Sequence, residues 1–352
     1  VDVDEASLAE IGQWPWPRDF LADLVYELQE LRAAVIVFDV QFAEPDRYSP
    51  SRLLRNPKLS GLLEQGGVND ALAELDNDAV FAQAIGNANV VLGVAETRNS
   101  GSKLAYNKAG FVEIGKQPSL GVRESEATSP LVSQLGELAS VSGSISVSAV
   151  GQTNIVRTVP LLWRNENGLI PGLSLEALRV ALGETTFVVG GSQELQGVVD
   201  YISFGGLTVP TTEDGQFWVR YREYVAADYV SVKDVFNADK ELALNSQLEG
   251  HIVLVGTSAP GLLDIRATPL GVNVPGVSIH AQIIEQILLG EFLYRSDFVG
   301  GLELLAFIIF GGTVTLVMAR YRAALSIVSG GVAALLLIAG SFYAFASAGL
   351  LF

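Results

Sequence analysis

Three carboxylates, Asp39, Glu44 and Asp46, lie within the stretch FDVQFAEPD directly behind the apolar run AAVIVF. Acids grouped in this way suit a cation or a basic ligand, and open α/β sheets bind ligands beyond the carboxyl ends of their strands. The plainer alternative has Asp39 accepting backbone N–H groups in a turn while the other two are solvated. A second apolar run, HIVLV, is followed in the same manner by GTSAPG, which offers the Thr257 and Ser258 hydroxyls and loop N–H groups, with Asp264 nearby. If both runs are central strands, the two loops form one pocket. His280 adds an imidazole that hydrogen-bonds when neutral and reports acidity when protonated; a packed or capping histidine is the plainer reading.

Other chemistries are excluded by residue type. The chain has no cysteine and only two histidines, so thiol catalysis, Fe–S clusters and Cys- or His-rich metal sites have no ligands. Neither a Gly-x-Ser-x-Gly elbow nor a His-Glu-x-x-His helix is present. GFVEIGKQ, residues 110 to 117, has the spacing of a phosphate-binding loop up to Lys116. However, Gln117 stands where a Ser or Thr would hold magnesium, and no strong strand precedes it. No catalytic residue, metal or cofactor is therefore assigned. With 22 basic against 39 acidic residues the formal charge is −17, which repels nucleic acid phosphate and excludes nucleic acid as a partner.

The candidate loops need elements to hold them. IGQWPWPRDF alternates Trp14 and Trp16 with Pro15 and Pro17, and a helix starts at once. Pro17 suits its first turn and Asp19 complements its dipole. Phe20, Leu21, Leu24, Val25, Leu28 and Leu31 then make one apolar face ahead of the buried strand AAVIVFDV. Trp14 and Trp16 are read as a cap over the core, with a ligand platform as the alternative. Arg18 beside them is read as structural, through a cation–π contact or a buried ion pair.

LDNDAVFAQAIGNANVVLGVAET repeats the order helix, then strand. Residues 98 to 145 predict loops or short strands. TNIVRTVPLLWRNENGLIPGL predicts a hairpin turning at Asn165 to Gly168, and SLEALRVALG a helix. Short strands follow near TFVVGG, YISFGGLTV and QFWVRY. The strand HIVLVGTS and the helix PGVSIHAQIIEQILLG close this part. The pattern predicts an α/β fold: a mixed sheet with helices on its faces, followed by two transmembrane helices.

Residues 298 to 318 hold one ionisable group, Glu303, and residues 323 to 352 are a longer apolar run without any charge. Each run reaches the roughly 20 residues that cross a bilayer as a helix. The expected division is a soluble domain over 1–297 and a membrane domain over 298–352, with spans at 298–318 and about 324–347. Arg320 and Arg322 in the connector place it in the cytoplasm by the positive-inside rule, and so place residues 1–297 outside. Export requires a signal peptide or transmembrane helix upstream, and a further crossing is expected beyond Phe352. Glu303, about 8 Å into its helix at 1.5 Å per residue, reaches the membrane interface.

Several of these segments together resemble the CHASE2 extracellular sensor domain of bacterial membrane receptors. They are Trp14-Pro15-Trp16-Pro17-Arg18, FDVQFAEPD, LDNDAVFAQAI, and GHIVLVGTSAPGLLDIRATP followed by PGVSIHAQIIEQIL. Asn154-Ile155-Val156-Arg157 departs from the pattern, since relatives often carry Asp-Gly before the Arg. The resemblance implies a receptor in a bacterial inner membrane, with its soluble domain periplasmic or extracellular. It also implies a cytoplasmic effector, often a class III adenylate cyclase and otherwise a histidine kinase, serine/threonine kinase or diguanylate cyclase. The expected partners are membrane lipid, a second copy in a homodimer, and a small-molecule or protein ligand. A non-signalling structural subunit of a membrane complex is the rival reading.

Overall fold

The computed structural model describes residues 1–53, 75–97, 108–125, 127–128, 132, 135–136, 141–145, 154–165, 167–223, 225, 228–237, 241–259, 261–262, 265–295, 298–320 and 323–351. These form two compact units, Val1–Ile287 and Leu288–Phe352.

The first unit is built on a five-stranded sheet. Its order is Asp2–Val3, Ile252–Thr257, Val35–Gln41, Val90–Val94 and Val141–Ser144, and every neighbouring pair is parallel. A parallel sheet survives only with both faces covered, which is why Val35–Phe38 and Val90–Val94 read as unbroken apolar runs and are buried throughout. Alternation assigns the faces. Ile36, Phe38, Val90, Leu92, Val253 and Val255 join one core with Leu21, Leu24, Val25 and Leu28 of the Arg18–Glu30 helix and Phe81 and Ile85 of the Asn77–Gly86 helix. On the opposite face lie the helices Leu173–Ala181 and Gly276–Leu289. They approach so closely that a Cβ on Gly143 would stand 2.7 Å from Leu173 Cα, and one on Gly256 2.5 Å from Val277 Cβ.

The turn-linked strands of the middle region form a sheet of their own. Leu207–Pro210, Val199–Phe204 and Thr186–Gly191 run antiparallel, and Gly110–Ile114 adds parallel to the last of them. The mixed character expected from sequence therefore resides in this second sheet, beside an all-parallel first one. The hairpin expected at Asn165 to Gly168 pairs Leu162–Asn165 with Gly168–Pro171.

In the second unit, Phe298–Arg320 and Ala323–Ala348 are helices that contact each other, and both are long and apolar enough to cross a membrane. Their apolar side chains stand outward on all sides, Phe307 at 75% and Ile327 at 77% exposure. Such an all-round apolar surface suits hydrocarbon and not water. Arg295 Nη2 donates to both Glu303 carboxylate oxygens, at 3.0 and 2.9 Å, so the one acid of the first apolar helix carries its own counter-ion.

Candidate functional site at the carboxyl ends of the parallel sheet

Helices in a parallel α/β layer run opposite to the strands, so their N-termini gather at the strands' carboxyl ends, where partial positive charge and free N–H groups collect. Two clusters of the expected residues lie at this end, one on each face.

On the first face, Asp46 occupies the centre. Its Oδ2 accepts the backbone N–H of Arg18 and the Asn77 side-chain amide, each at 2.9 Å, and its Oδ1 accepts the Tyr48 N–H at 2.9 Å. Its own N–H donates to Asp78 Oδ2 at 2.9 Å. Arg18, 8% exposed, lies with Nε 3.6 Å from Asp78 Oδ1 and with its guanidinium carbon 4.4 Å from the centre of the Phe42 ring. Asp76 caps the second helix by accepting the Asp78 N–H at 3.1 Å, and Ser49 Oγ accepts the Asn77 N–H at 3.1 Å. Thus one carboxylate tethers the N-termini of both helices to the loop that leaves the central strand. Burial pushes the Asp78 carboxyl above its ordinary range, with the Asp46 N–H and Arg18 working against it. Burial likewise lowers the proton affinity of Arg18, opposed by Asp78 and Asp46.

The tryptophans extend this cluster. Trp16 is buried and donates Nε1–H to the Gly12 carbonyl at 2.9 Å. Ring contacts run from Trp14 to Trp16 to Phe20 to Phe236 at 5.2, 5.2 and 4.9 Å. Pro17 is the N-cap of the Arg18–Glu30 helix, one position before its first turn.

The other acids of the loop lie apart from this network. Asp39 is half-buried at an irregularity, where pairing with the next strand passes from Phe38 to Gln41, and Glu44 is exposed. Thr257 ends the neighbouring strand, and Ser258 Oγ donates to Asp2 Oδ2 at 2.5 Å. The Asp2 carboxyl is raised by burial, with the Ser258 hydroxyl opposing. Register and alternation set Asp2 and Asp39 on the same face as Gly256, on the strands flanking it. Asp264 lies outside the described residues.

On that second face His280 is 2% exposed, and its Nδ1 meets Ser174 Oγ at 2.8 Å. The bond joins the first turns of the two helices that cover this face. Nε2 is buried near the Ile145 backbone without a well-formed hydrogen bond. Burial pushes the imidazole down from 6.5 to about 4; the Ile145 backbone opposes this and the Arg266 guanidinium adds to it. Segment 154–157 reaches the same region, since Ile155 bridges Ala267 and the Val156 N–H donates to the Ala267 carbonyl at 2.8 Å. The non-matching turn noted in the sequence thereby adjoins the strand that carries Arg266.

The fold thus brings Arg18 and Asp46 together, and sets Asp39, Ser258 and His280 on the opposite face; alternation turns Thr257, two positions after Val255, to the Arg18 side. Asp2, Asp78, Asn77, Ser174 and Arg266 were not singled out by sequence. Asp78 and Asn77 stood inside LDNDAVFAQAI, but nothing local linked them to Asp46. GFVEIGKQ is no phosphate cradle: Gly110–Ile114 is a strand, and Lys116 Nζ donates to the Glu194 carbonyl at 3.0 Å. A shallow depression lined by Gln29, Ala33, Ala34, Asn87 and Asn89 lies at the opposite, amino ends of the strands.

A family model, described as the CHASE2 domain, matches residues 1–317, which takes in the first unit and most of the first apolar helix. No curated protein and no solved structure matched the chain.

Proposed function

The chain belongs to the CHASE2 domain family, a sensory domain of signalling receptors, and from that premise we propose that it senses an extracytoplasmic ligand and relays the signal through its apolar helices. The observation carrying this reading is a family match that runs without a break from the first strand into a helix able to cross a bilayer. The positive-inside rule, applied to Arg320 and Arg322, supports a sensor facing the periplasm or exterior of a bacterial inner membrane. The ligand, a small molecule or a protein, meets the carboxyl ends of the parallel strands on the face of Asp39, Ser258 and His280. There, loops from neighbouring strands diverge to opposite faces and two helix N-termini converge. Asp46 and Arg18 serve the scaffold beneath.

Only a ligand that binds two arrangements with different affinity moves such a device, and about 1 to 3 kcal/mol of coupling is usual. The effector is a cytoplasmic domain outside this sequence, a class III adenylate cyclase by family resemblance, with a histidine or serine/threonine kinase as the alternative. Replacing residues 291–297 by Gly/Ser of equal length in the receptor carrying its effector tests the relay. Loss of the response with an intact outer domain is expected, and an unchanged response contradicts it. A reading frame that ends near Phe352 would favour the structural-subunit rival instead.

A further inference from the structure

The second sheet has two edges, and they differ. One edge strand, Leu207–Pro210, ends in a proline, which cannot donate to a further strand. The other, Gly110–Ile114, contains no proline and, among the described residues, pairs only on its inner side, with Thr186–Gly191. Natural edges are commonly guarded by outward charges. Here Glu113 and Lys116 are exposed but engaged within their own copy: Glu113 Oε2 accepts the Ser119 N–H at 3.2 Å and Lys116 Nζ donates to the Glu194 carbonyl at 3.0 Å. On the core side Phe111 stacks on Phe187 at 5.5 Å, which fixes the strand to its sheet. On the other side Val112 and Ile114 remain 50% and 45% exposed.

We infer that this edge is the seat of a second copy of the chain, joined antiparallel across a two-fold axis so that the two sheets become one. The sequence is self-complementary in that arrangement. A two-fold axis normal to the sheet preserves faces, and centring it on Val112 pairs Val112 with Val112, Gly110 with Ile114 and Phe111 with Glu113. The apolar side then carries Val112 and Ile114 from both copies. On the reverse side each Glu113 faces an aromatic ring rather than the other Glu113, which avoids the like-charge opposition that penalises cross-strand pairs. Centring one residue later would set Glu113 against Glu113. In a molecule of formal charge −17, self-association favours a contact where no carboxylates meet.

The lack of cysteine makes this testable with one substitution. In the full chain held in membranes or detergent, Val112→Cys places two sulfurs across the axis. Cα atoms directly opposite in an antiparallel pair are about 4.5 to 5.5 Å apart, within disulfide reach. Mild oxidation is expected to convert most of V112C to a covalent dimer, and at least tenfold less of Thr208→Cys on the other edge. Val112→Lys is expected to lower the mass in solution from dimer to monomer with the fold retained by circular dichroism. Three results would overturn the inference: equal cross-linking of V112C and T208C, cross-linking of V112C to a different protein, or a V112K chain that stays dimeric.

Discussion

The Asp46 carboxylate accepts the backbone N–H of Arg18 at 2.9 Å although the two residues are 28 positions apart. This bond joins the Trp-Pro-Arg segment to the loop behind the central strand, and Asn77 and Asp78 join the third motif to the same point. Three segments that sequence presents separately are one buried polar network, in which Arg18 Nε and Asp78 Oδ1 meet as an ion pair at 3.6 Å without a hydrogen bond.

Removing the hub leaves those donors stranded. Asp46→Ala strips acceptors from the Arg18 and Tyr48 N–H groups and the Asn77 amide. An expected loss of about 3 kcal/mol follows from stranding buried donors, to be read by denaturant unfolding of the solubilised chain. Glu44→Ala in the same loop, where the side chain is exposed, is expected to leave the midpoint unchanged.

Close helix packing on the opposite face gives a second expectation. Gly143→Ala and Gly256→Ala press a methyl against Leu173 Cα and Val277 Cβ, and overpacking of this kind costs about 1 to 3 kcal/mol each. Gly271→Ala, with no atom within 4 Å of the new methyl, is the control expected to stay near native in thermal unfolding.

The pattern of what was legible follows from the same packing. Val35–Gln41 and Ile252–Thr257 announce themselves because strands covered on both faces must be apolar throughout. Val141–Ser144, the fifth strand, does not: its sequence VSGS breaks the apolar run, with Gly143 at the one point where the Leu173–Ala181 helix leaves no room for a Cβ. Period and composition also cannot tell which strands share a sheet, so the middle strands looked like part of the first. At the site, Asp46 and Arg18 were visible as residues worth naming, whereas Asp78 and Ser174 gain meaning only from partners 32 and 106 positions away. No local signal carries such a contact.

Acid sensitivity is expected from His280. Its folded-state value, about 4, lies below the ordinary 6.5. The unfolded chain therefore binds the proton first, and stability present above pH 6.5 is lost as pH falls through 4. The full effect is about 3 kcal/mol by linkage. Asp2, Asp78 and Glu176, all raised by burial, act in the opposite sense over an overlapping range. The measurement is accordingly a difference: unfolding midpoints of native chain and His280→Gln between pH 7 and 4, with the variant expected to decline less steeply.

Ser174→Ala isolates the other half of that bond. It removes the hydroxyl on His280 Nδ1 while leaving the ring in place. The expected destabilisation is about 1 to 3 kcal/mol. Thr185→Ala, whose exposed hydroxyl meets Thr186 Oγ1 at 3.3 Å, is the matched control, read by the same unfolding assay.

The sensor reading stands on which side of the membrane the first unit occupies, and single cysteines in this cysteine-free chain report it directly. Gln193→Cys marks an exposed loop of the first unit, and Tyr321→Cys marks the connector between the two apolar helices. A membrane-impermeant maleimide added to spheroplasts should label Gln193→Cys at once and Tyr321→Cys only after the membrane is opened. The reverse order, with the connector labelled from outside and the first unit protected, would contradict an extracytoplasmic sensor.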